Sequence, residues 1–178
     1  MNDAANRDLT LDEIASLLEP QIPGLRRYAW ALLRDGEAAD DLVQDTLERA
    51  ISRWHQRRDG DLRAWLFAIQ RNLFINALRR RKAHGTHVGE DALNDLQAPD
   101  MSPEGHAGLH DVLRGLDALP EEQRSILLLI GVEDLSYEQA AQVLDIPLGT
   151  VMSRLSRARA RLREFMENGR STVLRRVK

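Results

Sequence analysis

Apolar residues recur at intervals of three and four along most of this chain, the spacing of helices that each bury one face. In the first half the pattern predicts four helices. Residues 11–18 open with Thr10, and Glu13 three positions on suits a capping box. Residues 22–33 place Ile22, Leu25, Ala29, Leu32 and Leu33 on one stripe, which Asp35-Gly36 breaks. Residues 37–54 continue with Ala39, Leu42, Val43, Leu47, Ala50, Ile51 and Trp54. A turn at Arg57-Arg58-Asp59-Gly60 precedes the fourth helix, residues 62–81, with Leu62, Trp65, Leu66, Ile69, Leu73, Ile75 and Leu78 apolar. It ends in Arg79-Arg80-Arg81-Lys82.

From residue 83 to 108 the periodicity fails. Gly85, Gly89, Pro99, Pro103, Gly105 and Gly108 punctuate a polar, acidic stretch that reads as a linker, with a short helix over 91–96 as an option. The pattern resumes at Leu109. A helix over 109–119 stops before Pro120, which suits the first turn of the next, 121–132, whose acidic start complements its dipole. Ile126-Leu127-Leu128-Leu129-Ile130 is the expected core of this second unit. Ser136 with Gln139 makes another capping box, and Ala140 and Ala141 are small enough for two helices to cross closely. After Asp145-Ile146-Pro147 a last helix carries Val151, Leu155, Ala158 and Leu162, spaced four, three and four, as a buried seam. The expected fold is all-α. Two small helical domains, residues 1–82 and 109–178, are joined by the linker 83–108, and the second is a helix-turn-helix domain. No internal repeat is visible.

Composition agrees. Aromatic residues are only 4% of the 178, and Ala, Leu, Arg, Glu and Gln dominate. Without cysteine there is no disulfide framework and no thiolate metal site. No apolar run reaches the roughly 18 residues of a bilayer span, and residues 1–10 lack the basic-then-apolar order of a signal peptide. A cytoplasmic protein with no membrane insertion is expected. The net charge of −3 looks wrong for a nucleic-acid binder, but its distribution does not. Residues 61–82 carry six Lys and Arg against Asp61 alone, and residues 149–178 carry nine against two Glu. Residues 83–123 carry nine Asp and Glu against Arg114. Two basic blocks flank an acidic middle.

Four constellations are candidates for function. With the seam of the last helix buried, Thr150, Ser153, Arg154, Arg157 and Arg161 point elsewhere, as in a helix that lies in a DNA major groove. Arginine binds phosphates by charge or reads guanine with a bidentate fork. The bland alternative is a basic surface helix, but the capped helix, the turn and the basic helix occur in the right order. The helix over 62–82 mixes Trp65, Phe67 and Phe74 with Arg71, Asn72, Asn76, Arg79 and Arg80, a composition that can stack and hold unpaired bases. Taken alone, Trp65 and Phe74 are better read as core. Asp40, Asp41 and Asp45 could hold Mg²⁺, but no second acidic helix opposes them, which favours a protein-docking face. His84, His87, His106 and His110 have metal-ligand spacings in a glycine-rich setting where solvated histidines are the better reading. No Ser-His-Asp or P-loop arrangement is visible, and no cofactor is expected.

Taken together, the two halves resemble bacterial RNA polymerase sigma factors, specifically the extracytoplasmic-function (ECF) class that has only regions 2 and 4. The stretch Ala38-Ala39-Asp40-Asp41-Leu42-Val43-Gln44-Asp45-Thr46-Leu47-Glu48-Arg49-Ala50 is similar to the polymerase-docking region 2.2. Leu62-Arg63-Ala64-Trp65-Leu66-Phe67-Ala68-Ile69-Gln70-Arg71-Asn72-Leu73 is similar to regions 2.3 and 2.4. Leu116-Asp117-Ala118-Leu119-Pro120-Glu121-Glu122-Gln123-Arg124 and the helix-turn-helix are similar to region 4. The run from Ile22-Pro23-Gly24 to Ala29 resembles the subgroup that serves general stress responses.

The resemblance implies roles. Asp40, Asp41, Gln44, Asp45, Glu48 and Arg49 would dock on the β′ coiled coil of core RNA polymerase, with the β flap as a second contact. Arg57, Asp61, Arg63, Trp65, Arg71, Asn72, Asn76, Arg79 and Arg80 would capture the flipped, unpaired −10 strand. Thr150, Met152, Ser153, Arg154, Ser156, Arg157 and Arg161 would read the −35 duplex, although Met152 stands where the family often has Lys or Arg. The linker would thread near the polymerase active site and RNA exit, and an anti-sigma factor would hold the protein inactive. Two other readings compete. A stand-alone helix-turn-helix regulator needs a sensing or dimerising domain in residues 1–108. A metal-dependent enzyme would use Asp40, Asp41 and Asp45.

Overall fold

A computed structural model describes residues 9–57, 60–83 and 103–175. Every regular element among them is helical: α1 (Leu11–Leu18), α2 (Ile22–Leu33), α3 (Gly36–Ser52), α4 (Leu62–Ala83), α5 (Pro103–Asp117), α6 (Glu121–Gly131), α7 (Tyr137–Leu144) and α8 (Leu148–Arg175). Short 3₁₀ turns at Glu19–Gln21 and Trp54–Gln56 complete the set.

The helix starts are chemically specified. Thr10 and Glu13 form the reciprocal cap of α1, and Ser136 and Gln139 that of α7, each satisfying two otherwise orphaned N–H groups. The α2–α3 junction is tight because Arg34 takes a left-handed conformation (φ 57°) and Asp35 then accepts the Ala38 N–H at 3.0 Å. In the helix-turn-helix, Asp145 (φ 52°) makes the same kind of left-handed stop.

The helices form two groups. In the first, α2 packs on α3 and α3 on α4 around Leu25, Tyr28, Ala29, Val43, Leu66 and Phe67. In the second, α5, α6 and α7 pack on α8 around Leu116, Ile126, Leu129, Val143, Val151 and Leu155. Gly115 permits the α5–α8 approach, since a Cβ there would lie 2.6 Å from Leu162 Cδ1. The groups also touch each other: α4 packs along α7, and α2 against α6.

Two expectations change. Trp54 leaves α3 and sits buried in the following 3₁₀ turn. More consequentially, α5 begins at Pro103 rather than at residue 109. Proline is favoured in a first helical turn, and a glycine inside a helix costs only about 1 kcal/mol, which the apolar face of Leu109, Val112, Leu113 and Leu116 offsets. The option of a helix over 91–96, together with His84 and His87, lies outside the described residues.

Candidate nucleic-acid and polymerase interface

Three surfaces carry the candidate residues. On α3 the buried stripe of Ala39, Leu42, Val43, Thr46 and Ala50 turns Asp40, Asp41, Gln44, Asp45, Glu48 and Arg49 outward, all of them exposed. Asp40 pairs with Arg26 at 2.7 Å, and Gln44 donates to Glu48 at 3.1 Å. Among the described residues no group of three or more His, Asp or Glu is placed to share an ion.

On α8 the seam is as expected. Val151, Leu155 and Ala158 are buried, and Leu162 packs against the core. Met152, Ser153, Ser156, Arg157 and Arg161 are exposed, whereas Thr150 and Arg154 are half-buried. Arg154 pairs with Glu122 at 3.0 Å and Arg161 donates to Gln123 at 3.1 Å, so α6 steadies both. Among the described residues Arg157 donates only to its own helix, at Ser153 O (3.2 Å), and it is exposed.

The third surface runs from the 3₁₀ turn onto α4. Arg57 lies over the Trp54 ring at 5.7 Å and donates to Gly60 O. Asp61 caps α4, accepting the Ala64 N–H at 2.8 Å. Asn72, Asn76, Arg79 and Arg80 are exposed along α4. The aromatic part of this surface is smaller than the composition suggested. Phe67 and Phe74 are buried core, and Phe67 takes the edge of Tyr28 at 5.4 Å. Trp65 is half-buried edge-on to Trp54 at 6.0 Å.

Arg63 and Arg71, also on α4, face the second helical group. Arg63 reaches Glu133 at 3.2 Å, and Arg71 reaches Glu121 at 3.7 Å. Gln139 of α7 donates to Asp61 at 2.6 Å. Around them lie further contacts that no local pattern announced. Arg27 holds Glu133 with two hydrogen bonds of 3.1 and 2.8 Å. Tyr28 donates to Ser125 at 3.1 Å, and Ser125 to Glu121 at 2.7 Å. Burial raises the Tyr28 phenol well above its ordinary value, so it stays a neutral donor. Arg34, stacked on Trp30 at 5.0 Å, bonds Asp117 and the Leu113 carbonyl. Beside these contacts runs an apolar groove of about 920 Å³, lined by Ile22, Trp30, Val112, Leu116 and Val132, with Arg26 and Asp40 at its rim.

A helix-turn-helix domain behind a helical domain with an exposed acidic face is the architecture of a transcription initiation factor. Residues 18–70 match the family described as the Sigma2 domain of PhyR, and residues 109–162 match Sigma-70, region 4. The ECF RNA polymerase sigma factor EcfG of Rhodopseudomonas palustris is 39% identical over 142 residues, 79% of this chain and 78% of that protein. SigM of Bacillus subtilis, another ECF sigma factor, is 30% identical over 163 residues, 90% of this chain and 98% of that one. Among solved structures, the sigma factor RpoE of Bartonella quintana, crystallised with the anti-sigma factor NepR, superposes with a TM-score of 0.75 at 33% identity, covering 88% of this chain and 98% of that one. The chain belongs to the ECF RNA polymerase sigma factors, the subunits that direct core polymerase to promoters. The stand-alone regulator is disfavoured, because the segment that would have to sense or dimerise matches a sigma domain instead.

Proposed function

We propose that this sigma factor divides its work among the three surfaces, in the cytoplasm and without chemistry of its own. Residues 1–82 dock on polymerase and open the −10 element, residues 83–108 connect, and residues 109–178 read the −35 element. The exposed row Asp41, Gln44, Asp45, Glu48 and Arg49 on α3 offers carboxylates to a basic face of core polymerase, the β′ coiled coil. The second domain meets the β flap. Asn72, Asn76, Arg79 and Arg80, with Arg57, Asp61, Arg63, Trp65 and Arg71 nearer the start of α4, offer polar, cationic and aromatic contacts to an unpaired strand. Met152, Ser153, Ser156 and Arg157 face the major groove. Met152 contributes an apolar contact, of the kind that suits a thymine methyl, where a charged side chain would contact phosphate.

An anti-sigma factor regulates the protein in this reading. The apolar groove between α2 and α5 is shaped for one helical face of such a partner, and the Bartonella relative was crystallised with one. General stress is the proposed setting, on the likeness to EcfG and the Sigma2 domain of PhyR.

The observation that carries the reading is the exposed row of α8 above a buried seam, in a chain that also holds a sigma region 2. Run-off transcription on a fragmented genomic library tests it. Discrete transcripts that require both core polymerase and this protein are expected, with two shared upstream elements. A folded, inhibitor-free protein that adds no transcript would sink it.

A further inference from the structure

We propose that the second domain holds the promoter-strand face of the first closed, and that Glu133 stands in that face as an internal substitute for a DNA phosphate. The proposal rests on the assignment of Asp61, Arg63 and Arg71 to the −10 strand. All three are engaged by the second domain: Asp61 by Gln139, Arg63 by Glu133 and Arg71 by Glu121.

Glu133 is the centre of the arrangement. Its side chain is 0% exposed, yet it lies among charged residues rather than in an apolar core. Arg27 grips it through Nε and Nη2, and Arg63 through Nη2. Two guanidinium groups converging on one pair of oxygens is the geometry with which arginines hold a phosphate. The helix beneath is cut to fit, since a Cβ at Gly24 would lie 2.9 Å from Glu133 Oε2. Arg71 is less well served. It reaches Glu121 only at 3.7 Å, and its buried Nε has no acceptor among the described residues. A DNA phosphate would serve this arginine better than Glu121 does.

Closure and strand capture therefore exclude each other. A strand cannot reach Arg63 or Arg71 until Glu133 and Glu121 withdraw. Glu133 cannot stay buried without its arginines, because an unpaired buried carboxylate is costly. The free protein is consequently a poor DNA binder until something separates the domains.

The experiment uses the full chain. It has no cysteine, so Glu37→Cys and Arg159→Cys, both at exposed positions, give a specific dye pair across the two domains. Glu133→Gln, Arg27→Gln and Gly24→Ala are each placed in this background. Each is expected to lower energy transfer and to tighten binding of a labelled single-stranded promoter oligonucleotide about five-fold or more, since apparent affinity scales with the open fraction. Arg27→Gln is the decisive variant. It sits on a half-exposed side chain that tolerates change and removes a positive charge, which without a latch would weaken DNA binding. Unchanged energy transfer in variants with native circular dichroism overturns the proposal, as does opening without tighter binding. Arg63→Ala in the holoenzyme tests the underlying assignment separately. Unchanged −10-dependent transcription would remove Arg63 from promoter contact and overturn the competition, whatever the dyes report.

Discussion

Ser136 accepts the Gln139 N–H at 3.1 Å while Gln139 accepts the Ser136 N–H at 2.7 Å, which fixes where α7 begins and how the helix-turn-helix is aimed. Ser136→Ala is expected to cost about 1 kcal/mol of stability, measured by urea denaturation. Thr10 and Glu13 form the same device at α1, with a pH consequence. Hydrogen bonds from the Thr10 N–H and then its hydroxyl hold the Glu13 carboxyl below its ordinary value of 4.5. A depressed pKa means that this cap contributes fully above pH 4.5 and is lost as pH falls through the folded value. Removing Glu13 is expected to flatten that part of the acid titration of stability and to leave neutral-pH DNA binding unchanged. Both boxes were legible in the sequence because their partners are three residues apart. Glu133 was not. Its partners lie 106 and 70 positions away, and no local pattern singles it out. Gly24 carried no such signal by itself, since an isolated glycine in a helical pattern is tolerated at about 1 kcal/mol.

Among the elements, α8 follows its periodicity so closely that its seam and its outer row could be assigned from spacing alone. Arg157 tests the outer row best. Arg154 and Arg161 also brace α6, so their loss would mix stability with the proposed DNA contact, whereas among the described residues Arg157 has no partner outside its own helix. Arg157→Ala is expected to lower −35-dependent transcription roughly ten-fold, with little change in thermal stability. Leu155→Ala, beneath it, is expected to cost about 2–5 kcal/mol and to unfold the second domain first, seen as an early loss of helix on heating. On α3, Asp45→Ala is expected to weaken core binding in a titration with labelled polymerase. α5 shows where spacing misled. Pro103, Gly105 and Gly108 read as punctuation, but a proline suits a helix start and the two glycines inside it are outweighed by the core packing of the face from Leu109 to Leu116.

At the scale of the molecule, the division into two helical domains was visible in the break of periodicity, but their contact was not. Side chains that join the domains must be polar enough to survive separation, and a polar residue carries no periodic signal. Arg34 is typical. It closes α2, yet its guanidinium bonds Asp117 and Leu113 on α5, and burial lowers its pKa despite the Asp117 carboxylate. Arg34→Ala is expected to cost roughly 1–3 kcal/mol and to split one unfolding transition into two, followed by calorimetry.

The order in which a ribosome makes the chain gives the Arg27–Glu133 pair a further meaning. Its two halves are separated by 106 residues, so α1 to α4 leave the ribosome and fold before the carboxylate exists. Every newly made molecule therefore passes through a form whose arginines are bare, at the moment when nascent RNA and the ribosome's own phosphates are nearest. In the closure proposed above, the late arrival of Glu133 ends that exposure and gives each molecule a cover of its own before any inhibitor has to find it.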